Sequence, residues 1–270
     1  MVETIYIARH GFRLSWITRQ WESPTGLPKD PPLATYGIKQ AEHLAKHING
    51  LPEDKRPTLL FSSPYCQDRC LQTANPTSEI LSLPILVEHG LSEWYSLAEP
   101  GTGLHPRPYT AQALQQYFPS IDVSWESICF PDRRGETVEG VHKRCSDYLR
   151  ALVSRIEQHP TLKMHKNIMF VSHAATAIAL VRSLVGDKQL PLRVGTCTLS
   201  TLNRVGEGGF QWEAEGVLAG GEFLPNGVER DWGFEDVQLD ESGSVINDIG
   251  IRGTENEDPG FSGIVPEKSL

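Results

Sequence analysis

A chain of 270 residues, 39% hydrophobic and 22% charged, has room for one generous core with an appendage, and no stretch nears the roughly 18 unbroken apolar residues of a membrane helix. The net charge of −9 argues against a sequence-independent nucleic-acid binder, which would carry a basic stripe, so neither direct nucleic acid nor membrane is expected as a partner. From Glu235 onward nine acids face only Arg252 and Lys268, a net charge of −7 that leaves the rest of the chain near neutral.

No basic-then-apolar leader opens the chain. Cys66, Cys70, Cys129, Cys145 and Cys197 lack the paired spacings of a zinc ribbon or a redox pair. Free thiols in a cytoplasmic or nuclear protein are expected.

Thr4 to Ile7 have the β-branched and aromatic bias of a buried strand, and the run breaks into Arg9, His10 and Gly11. Residues 12–32 read as a loop carrying four prolines with Trp16 and Trp21, able to wall a pocket. Ile38, Ala41, Leu44, Ala45 and Ile48 share one helical face, with Thr35 as a plausible N-cap and Asn49-Gly50 as a stop. Thr58 to Phe61 is a second strand, running into Ser62-Ser63-Pro64 and then Arg69 at the head of a helix that contains Pro76. Ile85 to Val87 is a third strand, followed by Gly90 to Tyr95.

Periodicity then loosens over about residues 97–136, which read as an insertion or lid around one short helix near Ala111 to Tyr117. A helix is predicted over Val138 to Glu157, a fourth strand over Ile168 to Val171 ending in Ser172-His173-Ala174-Ala175, and a helix over Thr176 to Val185. Cys197 to Arg204 and Phe210 to Glu215 form an antiparallel pair in this reading. The alternation of strands and helices predicts an α/β fold, three layers of α/β/α with a mainly parallel central sheet.

If the four strands run parallel, one rim gathers Arg9, His10, Arg69, Glu93 and His173. That set suits phosphoryl transfer without a metal or cofactor. A neutral imidazole is a nucleophile, arginines match phosphate oxygens, and a partly buried carboxyl that stays protonated donates to the leaving oxygen. Rival chemistries lack their residues: no cysteine is followed six positions later by arginine, and neither GxxxxGK nor HExxH occurs.

The ordered set Arg9-His10-Gly11, Ser62-Ser63-Pro64, Arg69, Gln72-Thr73, Glu93 and Ser172-His173 resembles the histidine phosphatase superfamily, the phosphoglycerate mutase-like proteins. The resemblance implies that His10 is the phosphorylated nucleophile, and that Arg9, Arg69 and His173 bind the phosphoryl group. It also implies that Glu93 is the general acid and then the base, with Arg13 and Ala174 as further substrate contacts. Here four residues separate Pro64 from Arg69, where the family has two.

Ala174 stands where the acid phosphatase and phytase branch has aspartate, and Glu93-Trp94-Tyr95 departs from the Glu-Arg pattern of glycolytic mutases. The opening run through Arg13, Leu91 to Tyr95, Ser172 to Ala175, Glu222-Phe223-Leu224 and Trp232-Gly233-Phe234 are most similar to a fungal group. That group is the phosphatase domain of the TFIIIC tau subunit and its stand-alone paralogue. It implies a phosphotyrosine or phosphoserine peptide, or a small phosphomonoester, as substrate, with transcription-complex subunits as partners in an alternative assembly role. The expected division is a catalytic domain over 1–217, a packing extension over 218–235, and an acidic, disordered tail over 236–270.

Overall fold

The computed structural model describes residues 1–23, 30–64, 67–206 and 209–266. In chain order the elements are β1 (Thr4–Arg9), α1 (Thr35–Asn49), β2 (Leu59–Ser62), α2 (Gln67–Leu81), β3 (Ile85–Val87), α3 (Ala111–Gln115) and β4 (Cys129–Phe130). They continue with α4 (Val138–Gln158), β5 (Asn167–Ser172), α5 (Ala174–Val185), β6 (Leu199–Arg204), β7 (Trp212–Gly220) and β8 (Gly263–Ile264).

The main sheet has the order β3-β2-β5-β1-β6-β7, parallel from β3 to β1 and antiparallel beyond. It is a mainly parallel sheet between two helical layers, as the sequence predicts. Successive residues of β1 point to opposite faces. Ile5 and Ile7 enter one core with Val141, Tyr148 and Leu152 of α4 and Ile178 and Val181 of α5. Tyr6 and Ala8 enter a second core with Leu44 and Ile48 of α1 and Leu71 and Ala74 of α2. Burial on both faces explains why the parallel strands read as continuous apolar runs.

Register fixes the functional rim. Arg9 pairs with Ser172 across β1 and β5, so His10 and His173 leave the sheet side by side. Ser62 pairs with Val171 and with Val87, which sets Ser63 and Glu88 at the same level.

Three expectations differ from the structure. Residues 97–136 are no lid: Leu114 and Ile121 belong to one core and Ile128 to the other, and Ile121 bridges Ile85 at the sheet edge. These apolar residues are spaced without a period, so the segment reads as loose although it is packed. Strand β7 runs to Gly220, past the expected boundary at 217. The described part of the tail is placed, not disordered: Ile251 bonds Leu104, β8 pairs with β4, and Arg107 donates to the carbonyls of Pro259 and Phe261. Docking there joins backbone bonds to scattered side-chain contacts such as Phe261 on Phe130, which leave no periodic hydrophobic pattern in a sequence. In the segment before it Leu224 is buried, and Trp232 and Phe234 pack against the core. No helix among the described residues is long and apolar enough to cross a membrane.

Candidate active site

His10 lies just past β1 and is 2% exposed. Its Nδ1 is 2.8 Å from the carbonyl of Gly11, and a carbonyl only accepts, so Nδ1 carries the proton and Nε2 keeps its lone pair. Burial first, then the charges of Arg69 and Arg9, holds the ring well below the usual histidine range, which keeps it neutral.

The loop beyond is fixed by Gln72 and Thr73 of α2. The Thr73 hydroxyl accepts from the Gly11 N–H at 3.0 Å and donates to the Arg69 carbonyl at 2.6 Å. Gln72 accepts from the Leu33 N–H. At Gly11 a Cβ would stand 2.7 Å from the Gly37 carbonyl oxygen, so glycine is required by close approach.

Arg9, 6% exposed, donates through Nη1 to the carbonyls of Val194 at 2.7 Å and Arg230 at 2.6 Å. Its buried Nε has no acceptor among the described residues, which suits an oxyanion. Burial lowers its pKa to about 10, so it stays charged at neutral pH.

Arg69 is brought to the same place: it is 2% exposed, and its Nη2 is 3.3 Å from Glu93 Oε2. Of the four residues between Pro64 and Arg69, Tyr65 and Cys66 lie outside the described residues. The other four cysteines are free and buried.

His173, fully buried at the N-cap of α5, meets Glu93 Oε2 through Nδ1 at 3.3 Å and the Ser63 hydroxyl through Nε2 at 3.1 Å. Its ring centroid is 5.4 Å from that of His10. Burial opposes a charge on Glu93, but His173, then Arg69 and Arg9, outweigh it and draw its pKa from 4.5 down to about 2. This corrects the expectation of a protonated resting Glu93, because burial alone would have raised it and the cations around it reverse the sign.

Arg9, His10, Arg13, Glu93 and Ala174 line one cleft of about 530 Å³, with Arg69 and His173 behind them against Glu93. The Arg13 guanidinium lies 4.6 Å from the Trp16 ring centre. Ala174 opens a 12-residue helix whose first N–H groups and dipole favour an anion.

The loop that carries Glu93 is clamped on both sides. Arg144 of α4, a helix capped by Thr137, donates to the carbonyls of Gly90 and Ser92 and pairs with Glu136 at 2.8 Å. The Glu136 carbonyl accepts from the Trp94 ring N–H, and its N–H reaches the Tyr95 carbonyl. Ser172 and Thr176 bond the carbonyls of Leu91 and Ser92. Sequence reasoning missed Arg144, Glu136, Ser63 and Arg230 as parts of this site, and only Ser63, in the quoted Ser-Ser-Pro turn, carried a signal. No group of three His, Cys, Asp or Glu among the described residues is placed to hold a metal.

Residues 5–216 match the histidine phosphatase superfamily, branch 1. The chain belongs to this superfamily. It is 34% identical over 212 residues to the transcription factor tau 55 kDa subunit of Saccharomyces cerevisiae, a match that covers 74% of this chain and 47% of that protein. The chain therefore spans about half the length of that curated relative.

Among solved structures, the ecdysone phosphate phosphatase of Bombyx mori in complex with tungstate superposes with a TM-score of 0.61 at 21% identity, covering 80% of this chain and 92% of that one. A mutant phosphoserine phosphatase of Entamoeba histolytica in complex with phosphoserine gives 0.51 at 18% identity, covering 82% and 98%. At such identities the likeness shows the histidine phosphatase fold.

Proposed function

We propose that the protein is a metal-independent phosphomonoester hydrolase that works through a phosphohistidine at His10, with phosphotyrosine or phosphoserine peptides as substrates. The observation that carries this reading is the fixed tautomer of His10, a neutral imidazole with its Nε2 lone pair retained beside buried Arg9 and Arg69. In the reaction, Nε2 attacks phosphorus in line with the leaving oxygen, and the N–P bond forms as the P–O bond breaks. Arg9, Arg69 and the N-terminus of α5 balance the charge on the phosphoryl oxygens, with Arg13 at the rim.

Glu93 is ionised before substrate binds, so it takes up its proton from solvent as the substrate binds. A phosphate dianion offsets the arginine charges and raises the proton affinity of Glu93. Protonated Glu93 then donates to the leaving oxygen. Ionised again, it takes a proton from the water that attacks phosphohistidine, and phosphate leaves with His10 restored. The size of the cleft and the presence of Trp16, Trp94 and Trp232 in its wall favour a peptide side chain over a compact metabolite.

A second reading follows from the 34% identity to a transcription factor subunit: a weakly or non-catalytic assembly role in the RNA polymerase III factor TFIIIC, in the nucleus. The test is hydrolysis of p-nitrophenyl phosphate and a phosphotyrosine peptide, with chelator present, by wild type and His10→Ala. Turnover in wild type alone is expected; equal rates would overturn the mechanism, and no turnover in either would favour assembly.

A further inference from the structure

The segment that walls the cleft is the acidic tail. Val237, Gln238, Val245, Ile246, Asn247 and Asp248 line it, together with Trp16 and Trp94. The tail is seated on the loop just beyond Glu93: the Ser96 N–H reaches the Asp248 carboxylate at 3.0 Å, and the Ser96 hydroxyl reaches the Ile246 carbonyl at 3.0 Å. The Asp248 N–H and carbonyl bond Leu97 and Glu99, so the wall is tied by backbone to the chain that carries the carboxylate. Gly250 locks the seat, because a Cβ there would stand 2.4 Å from the Gly103 carbonyl.

The cleft carries charges of both signs. Arg9, Arg13 and Arg230 lie on the His10 and Trp16 side, with the Arg230 guanidinium 5.4 Å from the Trp16 ring centre. The cleft is also lined by Asp231, Asp236 and Asp248, the last tied to the loop beyond Glu93. One cation, Arg193, bridges Asp231 at 2.6 Å and Asp236 at 2.7 Å, so these acids keep a negative balance. A phosphate seated at His10 therefore leaves its neighbouring residues against an acidic wall that also offers Val245 and Ile246.

We propose that residues 237–248 read the flanks of the substrate and select phosphopeptides whose phosphorylated residue stands beside Lys or Arg. The selection rests on the phosphatase reading above. Opposite charges across the cleft favour basic flanks, and like charges reject acidic ones.

The test uses the full chain and two peptides with the same phosphotyrosine, one flanked by lysines and one by glutamates. Wild type is expected to prefer the lysine peptide by roughly tenfold or more in kcat/KM, falling at high salt. Asp248→Asn keeps an acceptor for Ser96 but removes the charge, and is expected to lower that preference at least threefold through KM. Gly250→Val unseats the wall and is expected to abolish the preference; if it fails to fold, Asp248→Asn decides. Equal use of the two peptides by wild type, or an unchanged preference in Asp248→Asn, would overturn the proposal. Loss of His10-dependent p-nitrophenyl phosphate hydrolysis in wild type would instead strike the phosphatase reading.

Discussion

Replacing Glu93 by Gln removes one negative charge from among His173, Arg69 and Arg9 while keeping the shape of the side chain. The depression of the Glu93 pKa from 4.5 to about 2 corresponds to roughly 3 kcal/mol of favourable interaction with the ionised form. A carboxyl depressed in the folded state stabilises the fold above its unfolded pKa, and that contribution fades as pH falls from about 4.5 through about 2. At pH 7 burial keeps His173 neutral and Arg69 and Arg9 alone hold the Glu93 charge, so Glu93→Gln is expected to be less stable by well under about 3 kcal/mol.

The same change favours an anion in the cleft. Two unit charges about 6 Å apart at an effective dielectric near 20 interact by about 3 kcal/mol, so even partial relief tightens oxyanion binding tenfold or more. Turnover moves the other way and falls about 10²- to 10⁴-fold with loss of the acid and base. Calorimetric titration with tungstate, thermal melts and steady-state hydrolysis measure the three quantities. A Glu93→Gln protein that binds tungstate no better than wild type and melts at the same temperature at pH 7 would refute the charge balance described for this site.

Two further outcomes follow. Arg144→Met leaves the partly buried Glu136 without its partner and the carbonyls of Gly90 and Ser92 without their donor, so stability should fall by about 2–4 kcal/mol; kcat should drop further than tungstate affinity, and Arg144→Lys should recover part of both. Glu88 accepts from Trp125, Ser127 and Ile128 in full burial, and burial raises its pKa to about 7; a raised acid stabilises the fold below about 4.5 and loses that contribution as pH rises through about 7, so denaturation midpoints should decline over that window in wild type and stay flatter in Glu88→Gln.

The rim was legible in the sequence because parallel strands buried on both faces announce themselves as short apolar runs, and whatever follows such a run stands at the edge of the sheet. His10 and His173 were found in this way, and the register of β1 with β5 sets them together. Arg144 gave no such sign. It sits on a helix whose apolar face, through Val141, Cys145, Tyr148 and Leu149, accounts for the whole pattern, and its guanidinium matters only because a distant loop lays its carbonyls across it. The tail misled for the opposite reason, since acidity and few aromatic residues describe what it lacks, whereas its seat depends on Ser96, Gly103 and Gly250. The charge state of Glu93 was likewise beyond a one-dimensional reading, because burial and neighbouring cations act with opposite signs.

The arrangement at His10 sets buried cations close together. Arg9 and Arg69 are buried at 6% and 2% exposure, and Glu93 lies against Arg69 and His173. Nearby buried cations repel, which is the reason that Arg69 is among the causes lowering the pKa of Arg9 and Arg9 among those lowering His10. A tetrahedral dianion restores the balance, so it should bind the folded chain and not the unfolded one. At a hundred times its dissociation constant such a ligand stabilises the fold by about 2.7 kcal/mol, or roughly 5–10 °C in Tm for a chain of this size. Tungstate should produce that rise in wild type, a larger one in Glu93→Gln, and a much smaller one in Arg69→Met, whereas chloride at equal ionic strength should produce none. A Tm indifferent to tungstate would mean that the buried arginines are neutralised from within the fold, and that the cleft at His10 is not built for a phosphoryl group.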